Sequence, residues 1–454
     1  MNTKQIEQGL MAFRNDQNAK ELREQYRQKS FLEIYGKSRS EDVHSSFVAW
    51  LLEGKDIPGD KQDNTILWFL DILMRRAEEQ NPANFPPILR NAINNCDLTL
   101  DINGVQKEDA QSKTERADIV VDCCANFHNN GRTCNQNVLF VIENKVTSAE
   151  HNNQTQRYYN TYTQEFPGSI IIFVYLTPCR SEDLVNWSTF SAKPSSVKFI
   201  CINYQDLLDG VILPVLSKTE LSTRLRCFIE DYVENLYIPT SEEKDSKRIV
   251  MAINREQQKL VENVWDSHHD ILKEAVEASR RKVWGTTPKS GDNFLIAFLN
   301  SQKDFFESIF SAVADYHSDD AVRVDAVYYS NRIKQNKAKC FIDNDYTQTV
   351  SVAETACEFA RRYIDAYKTS KFSNPCVDLS NQLISDAKAC GCTLPGNLFN
   401  GKLSTQNCLE LDYNGTTVDF NKNCWATAPH GTQFEKLFTF IEKQNIVKMR
   451  VQKA

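Results

Sequence analysis

A chain of 454 residues is too long for one ordinary hydrophobic core and predicts two or three domains. Hydrophobic residues at 41% and charged residues at 25% are a globular balance, which excludes a disordered or fibrous chain. The formal charge of -7 lies entirely in residues 1–240, where 25 Lys and Arg face 32 Asp and Glu; residues 241–454 carry 28 of each. That acidic excess argues against tight, non-specific coating of nucleic acid, although a local basic groove or bound cations would offset it.

No run approaches 18 consecutive apolar residues, so no transmembrane helix is expected. The opening MNTKQIEQGLMAFRNDQNAK lacks the apolar segment of a secretory leader, and a cytoplasmic location is the expectation. The 14 cysteines run from Cys96 to Cys424 without the even spacing of a disulfide scaffold and read as reduced, mostly buried thiols.

Residues 1–80 read as helical. Ser38 to Glu53 is the clearest helix, with Val43, Phe47, Trp50 and Leu51 on one face and Ser40 placed to cap it. A second follows at Thr65 to Glu78, with Ile66, Phe69, Leu70 and Leu73 along one stripe. The period then shortens. Strands are predicted at Leu98 to Val105, Ala117 to Cys124, Val138 to Val146, Ser169 to Leu176 and Val197 to Ile202. Their continuous apolar runs suit strands covered on both faces, and the helical stretch at 149–165 suits a crossover between neighbours. Leu221 to Leu236 is an amphipathic helix, and the polar stretch TSEEKDSKR after it predicts a domain boundary. Beyond it come a long helix at 250–283, strands at Val322 to Tyr329 and Ala338 to Ile342, a helix near Ala353 to Tyr367 and a last helix near 433–445.

The chemistry concentrates in one strand. Glu143 and Lys145 are two residues apart, so they share a face, and they follow five apolar residues from Val138 to Ile142. Charges at the end of a buried strand are expensive unless paired or bound to a metal. Asp118 opens another apolar run and would meet them if the two strands pair. Two carboxylates suit Mg²⁺ or Mn²⁺, and a lysine beside them suits an attacking water and developing negative charge, a set fit for phosphodiester hydrolysis. On its own, Glu-x-Lys is so short that it reads first as a surface ion pair at a strand end.

Further patches extend this set. Glu41-Asp42-Val43-His44-Ser45 precedes an apolar helix, Arg116-Ala117-Asp118-Ile119 opens one strand, and Ile142-Glu143-Asn144-Lys145 ends the next. Gln154 and Tyr158 follow four apart on a helix, and Val174-Tyr175-Leu176-Thr177-Pro178 ends a further strand. In this order the patches resemble the PD-(D/E)XK nuclease superfamily, and within it a bacterial family with a leading E-x-x-H-S helix, over about residues 30–237.

The resemblance implies an α/β fold: a restriction-endonuclease-like core of a short mixed sheet flanked by helices. It implies that Asp118, Glu143, the main-chain carbonyl of Asn144 and Glu41 hold the metal. Lys145 would be the catalytic lysine and Gln154 would face the site. His44, Arg116 and Tyr158 are the candidates for substrate contact. Two departures stand out. Ala117 replaces the proline that names the motif, and GKDIPGDKQDN stands where the family often has His-Gly.

Other signals are weaker. Cys376, Cys390, Cys392, Cys408, Cys424 and His430 crowd the C-terminal part, but their spacing is unlike that of zinc ligands. Arg280-Arg281-Lys282-Val283-Trp284, and Arg332 with Lys334, Lys337 and Lys339, could track a nucleic-acid backbone, yet read first as solvated faces. The expectation is a nuclease domain at 1–240 and a second α+β domain at 250–454 that selects targets, regulates, or mediates assembly as a homo-oligomer or with a protein partner. The reaction expected is metal-dependent cleavage of nucleic acid, DNA before RNA, with a place in bacterial restriction or antiphage defence. The rival is a catalytically silent relative that binds nucleic acid or protein.

Overall fold

The structure is a computed structural model that describes residues 1–59, 64–107, 115–129, 132–148, 150–185, 193–241, 248–284, 287–333, 339–394, 398–399, 408–421 and 433–453. These residues form two compact units: Lys20–Glu262, and Met1–Ala19 with Asn263–Ala454. Most of TSEEKDSKR lies outside the described residues.

Helices α1 (Thr3–Asn15) and α2 (Gln17–Arg27) open the chain. Then come α3 (Phe31–Ile34), α4 (Glu41–Glu53), α5 (Thr65–Gln80) and α6 (Pro87–Asn94), followed by strands β1 (Thr99–Lys107), β2 (Ile119–Asn129) and β3 (Arg132–Asn144). Helix α7 (Gln154–Glu165) leads to β4 (Ile170–Thr177), α8 (Ser181–Val185), β5 (Ile200–Asn203), α9 (Tyr204–Leu207), a π-helical turn at Leu208–Ile212, α10 (Leu213–Ser217) and α11 (Thr223–Tyr237).

The five strands form one sheet in the order β1-β2-β3-β4-β5. The first two pairings are antiparallel and the last two parallel, with α7 as the crossover between β3 and β4. This is the short mixed sheet flanked by helices that the sequence predicts. Side-chain alternation divides the core. Phe140 and Ile142 of β3, Ile119 and Val121 of β2, and Val174 of β4 face α4, α5 and α11. Leu139 and Val141, Val120, Phe173 and Tyr175 face Tyr158 and Tyr162 of α7. Both faces are covered, which is why these strands carry continuous apolar runs rather than alternation.

Local chemistry sets the helix ends. Helix α4 buries Phe47, Val48, Leu51 and Leu52, while Trp50 of the expected stripe is only half-buried. Ser40 stands at its N-cap position but makes no side-chain capping bond. Gly54 ends the helix at φ +64, a left-handed conformation that glycine adopts without strain. The π-helical turn passes close to α5: a Cβ on Gly210 would lie 2.6 Å from Ile72 Cδ1, so any larger residue there would make the Ile72 side chain shift.

The second unit takes in the C-terminal part of α12 (Arg255–Trp284), α13 (Asp292–Ser301), α14 (Lys303–Tyr316), α15 (Asp320–Ile333), β6 (Lys339–Ile342), β7 (Asp345–Ser351), α16 (Val352–Ala366), α17 (Pro375–Ala389), β8 (Cys408–Tyr413), β9 (Thr416–Asn421), α18 (Gln433–Lys443) and β10 (Val451–Lys453). It is the additional α+β region expected after the nuclease core. The strand expected at Val322 to Tyr329 is instead part of helix α15. Its β-branched residues mimic a strand, but Asp319 accepts a hydrogen bond from the Ala321 amide at 2.7 Å and starts a helix.

Candidate active site

Strand pairing brings the candidate residues to one place. The β2–β3 register pairs Ile119 with Ile142, so Asp118 stands next to Glu143 at the end of the ladder. Both project to the α7 face, and Glu143 also neighbours Tyr175 on β4. Glu143 is fully buried, and its Oε2 has no hydrogen-bond donor among the described residues. Lys145 Nζ lies 2.5 Å from Glu143 Oε1 and 4.0 Å from Glu41 Oε2. The first is a short, buried ion pair between residues two apart on one face of the strand end.

Asp118 Oδ2 accepts the Asn144 amide at 2.7 Å, which ties β2 to the end of β3. Glu41 reaches across from α4. Its Oε1 accepts the Val146 amide at 3.1 Å and the Ser148 hydroxyl at 2.8 Å, so it holds the turn after β3 rather than its own helix end.

Three carboxylates around one ammonium leave excess negative charge. Burial, then the neighbouring Asp118, pushes Glu143 up to about 8, against the pull of Lys145. Burial also raises Asp118, despite the Asn144 amide. Burial works to lower Lys145, but Glu143, Asp118 and Glu41 together raise it. The cluster therefore favours an added positive charge.

Among the described residues no three His, Cys, Asp or Glu side chains stand close enough to form a ready metal cluster. The ligand atoms nevertheless suit a hard divalent cation: a buried carboxylate with one oxygen unmatched among the described residues, a second carboxylate beside it, and a third on α4.

The other candidates separate by placement. Gln154 Nε2 donates to Tyr158 Oη at 2.6 Å, and Tyr158 Oη donates to the Arg116 carbonyl. The pair thus holds the turn that delivers Asp118, and Tyr158 is buried rather than open to a substrate. The Arg116 side chain is exposed and has no hydrogen bond or ion pair among the described residues.

His44 is fully buried. Its Nε2 lies 3.0 Å from the Ser38 carbonyl and must donate, so its Nδ1 accepts from Tyr232 Oη at 2.8 Å. Burial holds it down to about 3, and it has no nitrogen left for a phosphate. Ser45, Ser148 and Tyr204 also contact the site residues and escaped the sequence reading. Ser45 stood within a quoted motif; the other two carry no signal in a single sequence.

The arginines of the second unit's basic clusters are buried or paired within it, while Lys282 is exposed as expected of a solvated face. Arg280 is 1% exposed, Arg281 binds Asp292 and Glu274, and Arg332 binds Glu277. Lys334 and Lys337 lie outside the described residues, as do Cys424, His430 and the side chain of Cys408. The described cysteines are free thiols.

No curated protein and no solved structure matched the chain significantly. A family model did match, that of the PD-(D/E)XK nuclease superfamily, over residues 29–234. The matched stretch contains the whole mixed sheet and every candidate site residue, and with it this part of the chain belongs to the PD-(D/E)XK nuclease superfamily.

Proposed function

We propose that the unit carrying the mixed sheet hydrolyses phosphodiester bonds in nucleic acid, DNA in preference to RNA, with Mg²⁺ or Mn²⁺. The observation that carries this reading is Glu143: a fully buried carboxylate beside Asp118 and 2.5 Å from Lys145 at the end of β3. Asp118, Glu143, Glu41 and the main-chain carbonyl of Asn144 would hold the cation. When bound, it supplies an acidified water and neutralises phosphate charge.

The chain's own groups do the rest. Lys145 donates to the attacking water and to the non-bridging phosphate oxygens as charge builds on them. Glu143 positions that ammonium. Gln154 and Tyr158 fix the turn through Arg116 and Ala117 that aims Asp118. The exposed Arg116 guanidinium meets the substrate backbone by charge-assisted hydrogen bonds. The second unit selects the target, regulates cleavage or mediates assembly with another copy or a protein partner. We place the protein in the cytoplasm, in restriction or antiphage defence.

The test is incubation of the purified chain with supercoiled plasmid, linear duplex DNA and RNA, in Mg²⁺, in Mn²⁺ and in EDTA. Cleavage of DNA that needs the metal supports the reading. Binding without cleavage in every metal supports the silent relative instead.

A further inference from the structure

One buried side chain joins helix α4 to the end of β3. Asn144 lies between Glu143 and Lys145 in sequence, is fully buried, and points to the opposite face of the sheet from Glu143. Its Nδ2 donates to Ser45 Oγ at 3.1 Å and approaches the Glu41 carbonyl at 3.4 Å. Its Oδ1 accepts from Tyr204 Oη at 2.8 Å. Exchanging the amide oxygen and nitrogen would set two oxygens against each other at Glu41, so the α4 main chain fixes the orientation of the amide. Tyr204 is 0% exposed and Ser45 5%, so water does not compete for these bonds.

The neighbouring contacts explain why Glu41, His44 and Ser45 occur together. Within about one turn, α4 makes three attachments. The Glu41 carboxylate holds the turn after β3, His44 binds Tyr232 of α11, and Ser45 binds Asn144. The Tyr204 ring also meets His44 edge-on, at 5.4 Å between centroids.

We propose that Tyr204 is a positioning residue for the candidate active site. Through the Asn144 amide it sets the separation between the Asn144 main chain and Glu41, and so the geometry in which the site takes a divalent cation. The proposal rests on the nuclease reading for the identity of the ligands. Tyr204→Phe removes one hydroxyl without changing shape. It leaves Asn144 Oδ1 buried without a donor, and the strand end and α4 lose their shared reference. Groups that orient metal ligands typically change affinity by about 10- to 100-fold when removed.

The experiment is calorimetric titration of Mn²⁺ into the full chain without nucleic acid, for the wild type, Tyr204→Phe and Ser45→Ala. The control is Ser30→Ala, which removes the N-cap of α3 and a buried hydrogen bond to Asn235 but touches neither Asn144 nor Glu41. The expected result is about 10-fold weaker Mn²⁺ binding in Tyr204→Phe and a similar loss in Ser45→Ala. Ser30→Ala should lose stability alone. Cleavage should show kcat falling with Mn²⁺ affinity while KM for the nucleic acid stays within about twofold.

Mn²⁺ affinity within twofold of wild type in both variants overturns the proposal, as does an equal loss in Ser30→Ala. If the wild type cleaves and the variants bind Mn²⁺ normally, the nuclease reading stands and the positioning role falls. If Mn²⁺ binding depends on Tyr204 but the wild type cleaves nothing, positioning stands and the nuclease reading falls.

Discussion

At the scale of single residues, two buried groups give pH dependences of opposite sign. Glu143 is raised from 4.5 to about 8 in the folded protein, so folding favours its protonated form. Its contribution to metal-free stability is full below about 4.5 and is lost as pH rises through 8. Chemical denaturation in EDTA should show Glu143→Gln gaining on the wild type between pH 5 and pH 8; a constant difference would mean the carboxylate is not strained. His44 is lowered from 6.5 to about 3, so folding favours its neutral form. Its contribution is full above 6.5 and is lost as pH falls toward 3, at up to about 1.4 kcal/mol per pH unit. His44→Gln should flatten that acid limb relative to the wild type, and an unchanged limb would show that the imidazole is not held neutral. The sequence placed Asp118, Glu143 and Lys145 together because alternation and strand pairing are legible in apolar runs. It left His44 between phosphate contact and structural bond, since burial on all sides depends on Tyr232, 188 residues away.

At the scale of elements, α4 matters most because it carries Glu41 to the site. A first-turn carboxylate that merely capped its helix would bond α4 amides, but Glu41 bonds Val146 and Ser148 instead. Glu41→Gln should therefore keep the fold, because an amide oxygen still accepts from Val146. It should lose cleavage by about 10-fold or more across a Mg²⁺ titration, since one charge of the cluster is gone. Unchanged activity across that titration would remove Glu41 from the site. The other end of the helix offers a stability check. Gly54→Ala forces a Cβ into a left-handed residue and to 3.0 Å from Thr65 Oγ1, and should lower stability by about 1 kcal/mol or more. A neutral urea midpoint there would contradict the cap. Elements with strong periodicity were readable from sequence. Helix α15 was not, because Val322, Val324 and Val327 favour a strand locally while the Asp319 cap decides for a helix.

At the scale of the whole molecule, the apolar side chains around the sheet extend past α11. Met251 and Ala252 are fully buried in the core that packs on the sheet, and the Met251 amide donates to the Leu236 carbonyl at 3.0 Å. We propose that the nuclease portion ends after them. A fragment of residues 20–262 should unfold cooperatively, whereas one ending at 240 should lose several kcal/mol, the usual loss when two buried apolar residues are removed. Equal stability of the two fragments would put the boundary back at 240. The sequence marked this region by its polar composition but could not show that the chain beyond it returns to the core, because such packing depends on residues far apart. The central claim, that the charged end of β3 performs metal-dependent cleavage, has one direct test. It is the single-turnover rate on the best-cut DNA, at saturating Mn²⁺, for the wild type, Glu143→Gln and Lys145→Ala. The expected result is a fall of about 100- to 1000-fold in each variant with folding intact. Wild-type rates in either folded variant would contradict the claim.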